Sequence, residues 1–90
     1  NFPEADVPRT AAHRIAIANA NVPNMVGQIS TCLGDAGLNI ADLLNKSRGE
    51  VAYTLVDLEG TITEATLARI RAIAGVLSVR DLGPGGTARA

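Results

Sequence analysis

The chain has 90 residues, of which 47% are hydrophobic, only 2% are aromatic and one is cysteine. This length has room for a single core, which must be built from aliphatic side chains. With 8 basic and 9 acidic residues the net charge is −1, so electrostatics favours neither nucleic acid nor a membrane as partner. One cysteine excludes an internal disulfide and a CxxC metal site. We therefore expect a small cytoplasmic domain that binds a ligand or partner.

The first half of the chain predicts a linker, a strand and a helix. Residues 1–12 contain two prolines and no periodicity, and are predicted to be an extended linker from a preceding catalytic domain. Alternating β-branched residues predict a strand over 13–18. From Met25 an apolar stripe at 3–4 spacing predicts an amphipathic helix, which Gly37 ends.

The second half predicts a hairpin, a helix and a last strand. Residues 39–46 and 51–58 flank a glycine-containing turn. Thr61 and Glu64 fit a capping box at the start of a second helix, which Gly75 ends. A strand is predicted over 76–82 and a disordered tail over 83–90, so the domain proper spans 13–82.

The order βαββαβ predicts an α+β fold of the ferredoxin-like sandwich type. Right-handed crossovers then give a four-stranded antiparallel sheet with both helices on one face. RNA-recognition modules share this topology, but they stack bases on sheet aromatics and carry a basic groove. Tyr53 is the one aromatic residue in the predicted sheet, and the charge is near neutral, so we predict no nucleic-acid partner.

Catalytic and metal-binding chemistry has little support in the residue types. A nucleophile needs a base within hydrogen-bond reach, and His13 is the only histidine. Cys32 falls in the apolar stripe of the first helix and is predicted to be a core residue. Carboxylates such as Asp42 and Asp57 lack the spacing of a metal site. We predict no catalytic residue, no metal and no cofactor in this chain, and no membrane-spanning segment.

A neutral polar cluster at the first strand–helix turn is the candidate site. Asn19, Asn21 and Asn24 lie beside a helix N-terminus, whose free N–H groups and dipole suit a carboxylate. Asparagine amides donate and accept, so they also suit an ammonium or a hydroxyl. A zwitterionic amino acid needs this combination. The competing interpretation is that the three asparagines only form turns and cap the helix.

The pattern Asn19-x-Asn21-x-Pro23, followed by an amphipathic helix, Gly37-Leu38-Asn39-Ile40 and a hairpin, resembles an ACT domain. With residues 1–4 and 21–27 included, residues 1–82 resemble the C-terminal regulatory segment of the D-3-phosphoglycerate dehydrogenases, NAD-dependent enzymes of L-serine synthesis. The resemblance implies a regulatory domain whose NAD-binding domain lies elsewhere in the parent chain.

The resemblance also implies a site. Two such domains pair side by side into one eight-stranded sheet, and L-serine binds across the seam. Carried over by position, Asn21 is the loop asparagine and Asn39 is contributed by the neighbouring subunit. Asn19 stands where the family often has histidine, and Asn24 where it has glycine. The predicted effector-binding residues are Asn19, Asn21, Asn24, Met25, Val26 and Asn39. The alternative is a dimerisation module that binds no effector.

Overall fold

The computed structural model describes residues 12–84, so the predicted linker before residue 12 and the predicted tail after residue 84 lie outside the described residues. The elements follow the predicted order βαββαβ. They are β1 (Ala12–Ala20), α1 (Met25–Asp35), β2 (Asn39–Arg48), β3 (Val51–Glu59), α2 (Glu64–Arg71) and β4 (Val76–Pro84).

The four strands form one antiparallel sheet in the order β2-β3-β1-β4. The strands β3 and β1 are therefore central, and β2 and β4 are the two edges. Helix α1 packs towards the β2 side of the sheet, and α2 packs towards β4. This is the ferredoxin-like sandwich predicted from the sequence.

The sheet has one covered and one open face, and the alternation of β1 shows which side chains occupy each. Ile15, Ile17 and Asn19 are buried on the covered face, while Ala16 and Ala18 are half-buried on the open face. Because side chains alternate along a strand, residue 19 must share the side of the two isoleucines. This parity puts an asparagine into the core face of the sheet.

The core is aliphatic, as the composition predicts. Cys32 lies within it at 6% exposure, which confirms its prediction as a core residue. The largest buried apolar side chains come from β1, both helices and β3: Ile15, Ile17, Ile29, Leu33, Val56, Leu58, Leu67 and Ile70.

Helix α1 ends as predicted. Gly37 has a φ of 80°, in the left-handed region that glycine tolerates best. The N–H of Leu38 donates to the carbonyl of Leu33 at 3.0 Å, and the N–H of Gly37 donates to the carbonyl of Gly34 at 2.9 Å. These two bonds are the Schellman pattern.

Helix α2 begins two residues later than the predicted capping box requires, so the prediction for Thr61 is wrong. The N-cap is Thr63, whose side chain accepts from the N–H of Thr66 at 3.2 Å. Glu64 is the first helical residue rather than the reciprocal partner of Thr61. Both threonines precede an acidic residue and an apolar stretch, so the local sequence does not distinguish between them.

The strands are longer than predicted. Arg48 pairs with Val51, which leaves a two-residue turn whose first residue, Gly49, has a φ of 65°. A positive φ at this position is typical of a type II′ hairpin turn. Strand β4 continues through Gly83 and Pro84, which pairs with the start of β1, so the predicted tail begins too early.

The 20 residues from 15 to 34 carry no charge, but the structure divides them between β1, a loop and α1. Among residues 12–84, neither helix is long and apolar enough to cross a membrane.

Candidate functional site

The connection between β1 and α1 is held by hydrogen bonds to two other turns at the same end of the sheet. The N–H of Ala20 donates to the carbonyl of Gly75, at the start of β4, at 2.7 Å. The N–H of Asn21 donates to the carbonyl of Glu50, in the β2–β3 hairpin, at 2.8 Å. The loop is therefore positioned from both sides.

Asn21 is exposed and oriented by the hairpin. Its Nδ2 donates to the carbonyl of Gly49 at 3.0 Å. Among residues 12–84, no group donates to its Oδ1. The carbonyl end of this amide is therefore free to accept a hydrogen bond from a ligand, as an ammonium or a hydroxyl requires.

Asn24 occupies the N-cap position of α1 in an unusual conformation. Its φ of 68° and ψ of 6° are left-handed, and its side chain makes no capping hydrogen bond. A left-handed residue followed directly by helical residues turns successive N–H groups towards one point, which is an arrangement that binds anions. The first N–H groups of any helix also lack intrahelical partners. The start of α1 therefore presents donors without supplying its own acceptor.

A close approach between Asn24 and Gly27 depends on the glycine. A Cβ at residue 27 would lie 2.6 Å from Oδ1 of Asn24. The Asn24 amide thus rests over the first turn of the helix, in space that any larger residue at position 27 would occupy.

Met25 and Val26 are the first two residues of α1. The Met25 side chain is buried at 2% exposure, with its Cε against Gly75, and Val26 is half-buried. Met25 anchors the helix start to the β4 side of the loop, and only its N–H is available to a ligand.

Asn19 lies in the core rather than at the loop surface. It is 1% exposed, its Oδ1 accepts from Oγ1 of Thr54 at 2.9 Å, and its Nδ2 donates to the carbonyl of Ala20 at 2.9 Å. The structure therefore does not bring Asn19 to the same surface as Asn21 and Asn24. Sequence reasoning missed its partner, because only the pairing of β1 with β3 brings Thr54 beside it.

Asn39 lies at the opposite end of the sheet from the loop. It pairs with Glu59, which in turn pairs with Ala12, whereas Arg48 is level with Val51 and Ala20 at the loop end. The 10 residues of β2 separate the two ends by about 30 Å. Within one chain, Asn39 and Asn21 cannot contact the same small ligand.

The electrostatics of the loop are neutral, since residues 19–26 include no ionisable side chain. An open groove of about 390 Å³ runs between the helices from Asn24 to an exposed ion pair, in which Arg69 and Asp35 approach to 3.7 Å. Asn24 is the only predicted site residue that lines this groove.

Two close contacts between basic and acidic side chains of the described residues lie at the start of β1, away from the loop. Arg14 donates to both carboxylate oxygens of Asp57 at 2.6 and 2.9 Å, and this hydrogen bonding raises the pKa of Arg14 against an opposing effect of desolvation. The preceding residue, His13, contacts Asp81 of β4. Desolvation raises the pKa of Asp81, but hydrogen bonds from the Gly83 N–H and from His13 outweigh it and leave the pKa lowered.

Solved structures identify the architecture. The crystal structure of the ACT domain from GTP pyrophosphokinase of Chlorobium tepidum superposes with a TM-score of 0.67 at 18% identity, over 79% of this chain and 96% of that one. The chain has the fold of an ACT domain. A homoserine dehydrogenase from Thiobacillus denitrificans contains a similar unit, with a TM-score of 0.68 at 20% identity over 84% of this chain and 18% of that one. No family model matches.

At the level of sequence, this chain is similar to D-3-phosphoglycerate dehydrogenase of Escherichia coli (strain K12). The two are 26% identical over 84 residues, which are 91% of this chain and 20% of the relative. The proteins of that name from Escherichia coli O157:H7 and Shigella flexneri match equally. The chain thus spans about a fifth of the length of the curated relatives it matches. The predicted resemblance to the C-terminal segment of these dehydrogenases is confirmed.

The β1–α1 connection does not fit the pyrophosphate of a dinucleotide. The β1–α1 connection of residues 21–24 contains no glycine, whereas a pyrophosphate-binding turn requires several so that the backbone can approach the phosphates. Among residues 12–84, no three histidine, cysteine or acidic side chains cluster as a metal site would require.

Proposed function

We propose that this ACT domain is a regulatory module of an NAD-dependent D-3-phosphoglycerate dehydrogenase-like enzyme. It binds a small amino acid, L-serine first, at a seam between two subunits. The observation that carries the proposal is the start of α1, where a left-handed Asn24 leaves the helix without a side-chain cap. The resemblance to the dehydrogenases supplies the parent enzyme and the choice of serine.

The carboxylate of the amino acid takes the N–H groups at the start of α1. Those of Met25 and Val26 follow the left-handed Asn24 and have no partner within the helix. The helix dipole adds a favourable interaction with negative charge of about 0.3–1 kcal/mol. A carboxylate at this point replaces the missing cap.

The ammonium and the hydroxyl of serine take amide oxygens. Oδ1 of Asn21 accepts from no group among residues 12–84, and Oδ1 of Asn24 lies over the first turn of α1, next to Gly27. A site that hydrogen-bonds the hydroxyl discriminates against alanine, because its own polar groups are then left unpaired. Asn19 is no longer a candidate for direct contact, since both ends of its amide are already bonded.

The strand geometry supports β2 as the edge that pairs in the dimer. In a two-fold, antiparallel pairing of two β2 strands, the start of one strand lies opposite the end of the other. The partner subunit's Asn39 then comes level with Arg48 and with the hairpin that holds Asn21. Pairing through β4, the other edge strand, would not bring Asn39 of the partner subunit to the loop, and Pro84 lacks an N–H for pairing.

Calorimetric titration of the 90-residue chain with L-serine, glycine, L-alanine and D-serine tests the ligand. We expect L-serine to bind at least tenfold more tightly than L-alanine. Analytical ultracentrifugation over the same concentrations measures the dimer. If no amino acid binds at millimolar concentration while the chain remains dimeric, the ligand-free dimerisation module is the correct interpretation.

Asn39→Ala tests the seam. This exposed side chain contributes nothing to the core, so the variant should keep the wild-type melting temperature and lose serine binding. Ser78→Ala on β4, the other edge of the sheet, is the matched control and should bind serine as the wild type does. Unchanged affinity in Asn39→Ala would place the ligand elsewhere.

A further inference from the structure

A row of hydrogen-bonded side chains crosses three strands beneath the β1–α1 loop. Asn45 in β2 donates from Nδ2 to Oγ1 of Thr54 in β3 at 2.8 Å. Thr54 donates from the same oxygen to Oδ1 of Asn19 in β1 at 2.9 Å. Asn19 donates from Nδ2 to the carbonyl of Ala20 at 2.9 Å. Thr54 and Asn19 each accept from one neighbour and donate to the next, so the row runs from Asn45 at the edge strand to the loop.

The middle of this row is buried among apolar side chains. Asn19 and Thr54 are each 1% exposed, at positions where the neighbouring residues of the same faces are Ile17 and Val56. Hydrogen bonds in such surroundings strengthen one another, and a missing partner is costly. Aliphatic residues at both positions 19 and 54 would suit the apolar core equally well, so packing by itself does not account for this polar pair.

The row ends on the atom that directs the chain out of β1. The carbonyl of Ala20 accepts from the N–H of Val22 at 3.0 Å, which closes a three-residue turn centred on Asn21. The carbonyl therefore receives one donor from the core, Nδ2 of Asn19, and one from the loop. This carbonyl thus joins the buried row to the turn centred on Asn21.

We propose that Thr54 is a positioning residue for the amino-acid site. Through Asn19 it orients the Ala20 carbonyl and thereby Asn21, and through Asn45 it links this orientation to β2. This inference rests on the proposed function for its ligand and for the pairing of β2. The part that concerns the loop rests only on the contacts described above.

Thr54→Val tests the inference, because valine keeps the shape of threonine and removes only the hydroxyl. We expect the amide hydrogens of Asn21 and Val22 to exchange at least about fivefold faster, as measured by NMR. L-serine should bind at least about fivefold more weakly, within the range of ordinary site-to-site coupling. Thr54→Ser restores the hydroxyl and should recover both values.

Two controls separate positioning from stability. Thr54→Val leaves the buried Oδ1 of Asn19 without a donor and should therefore lower the melting temperature. The double variant Asn19→Leu with Thr54→Val removes both buried partners, so its melting temperature should return towards the wild-type value while the loop amides still exchange fast. Thr61→Val removes an exposed hydroxyl before α2 and should change neither measurement.

The outcomes distinguish this inference from the proposed function. Unchanged exchange of Asn21 and Val22 in Thr54→Val overturns the positioning role, whether or not serine binds. If the wild-type chain binds no amino acid but Thr54→Val still speeds the exchange of these amides, the positioning role is supported and only the proposed ligand is overturned. Faster exchange with unchanged serine affinity also overturns the inference, because the loop would then move without affecting the site.

Discussion

The two helices of this domain begin in opposite ways. At α2, Thr63 is extended and its hydroxyl accepts from an N–H of the first turn, and an acidic residue, Glu64, follows. At α1, Asn24 is left-handed, its side chain caps nothing, and the first turn contains no acidic residue. One helix start is satisfied by its own side chains, and the other leaves its donors for something else to bind.

The positive φ of Asn24 and the missing side-chain cap are the features of α1 that point to a ligand. A non-glycine residue with a positive φ costs free energy, and such residues cluster at functional sites. The same loop contains Asn21, whose amide oxygen accepts from no group among residues 12–84, so two unusual features lie within four residues. A helix that needed only to be stable would begin as α2 does.

Gly27→Ala should have the largest effect. The new methyl group would lie 2.6 Å from Oδ1 of Asn24, so this amide must rotate away from the first turn. Alanine is also the better helix former by about 1 kcal/mol, so stability should not fall. We expect serine binding to weaken more than tenfold with an equal or higher melting temperature. Wild-type affinity, measured by calorimetry, would show that the first turn of α1 is not the site.

Thr63→Ala should affect stability and leave binding alone. The variant loses the hydrogen bond to the N–H of Thr66, and the loss of a threonine N-cap typically costs about 1 kcal/mol. Chemical denaturation measures this change. A loss of serine affinity in this variant would contradict the division of roles between the two helix starts.

Asn24→Gly should change stability in the opposite direction. Glycine adopts the φ of 68° without steric cost, and no capping hydrogen bond is lost. We expect the free energy of unfolding to rise by about 0.5 kcal/mol, while the loss of the amide weakens serine binding. If the variant is destabilised as Thr63→Ala is, Asn24 is an ordinary cap.

The smallest effect concerns pH. The lowered pKa of Asp81 contributes stability that is present above the carboxyl pKa of the unfolded chain, and it is lost as pH falls through the lowered value of the folded chain. Solvent screens this pair, so the contribution is at most about 0.5 kcal/mol. Denaturation at pH 7 and at pH 3 should show a smaller difference in the free energy of unfolding for Asp81→Asn than for the wild type.

The affinity for serine should not change over the neutral pH range, because residues 19–26 do not ionise.

The order of elements, the aliphatic core and the end of α1 can be predicted from the sequence. These depend on local features: the change of period after β1, the apolar stripe from Met25 and the glycine at position 37. Even the burial of Asn19 was available in principle, because residues 15, 17 and 19 of one strand share a face. The start of α2 was less determined, since Thr61 and Thr63 offer comparable caps.

The hydrogen-bond partners of Asn19 and Asn21 cannot be read from the sequence and depend on the tertiary structure. The hydrogen bond from Thr54 to Asn19 depends on the register between β1 and β3. The hydrogen bond from Asn21 to the Gly49 carbonyl forms because two loops, 28 residues apart in sequence, meet at one end of the sheet. Register and loop contact are set by packing between distant segments, for which a local pattern carries no signal. The separation of Asn39 from Asn21 within one chain follows from the same strand order, and it is why the proposed site needs a second subunit.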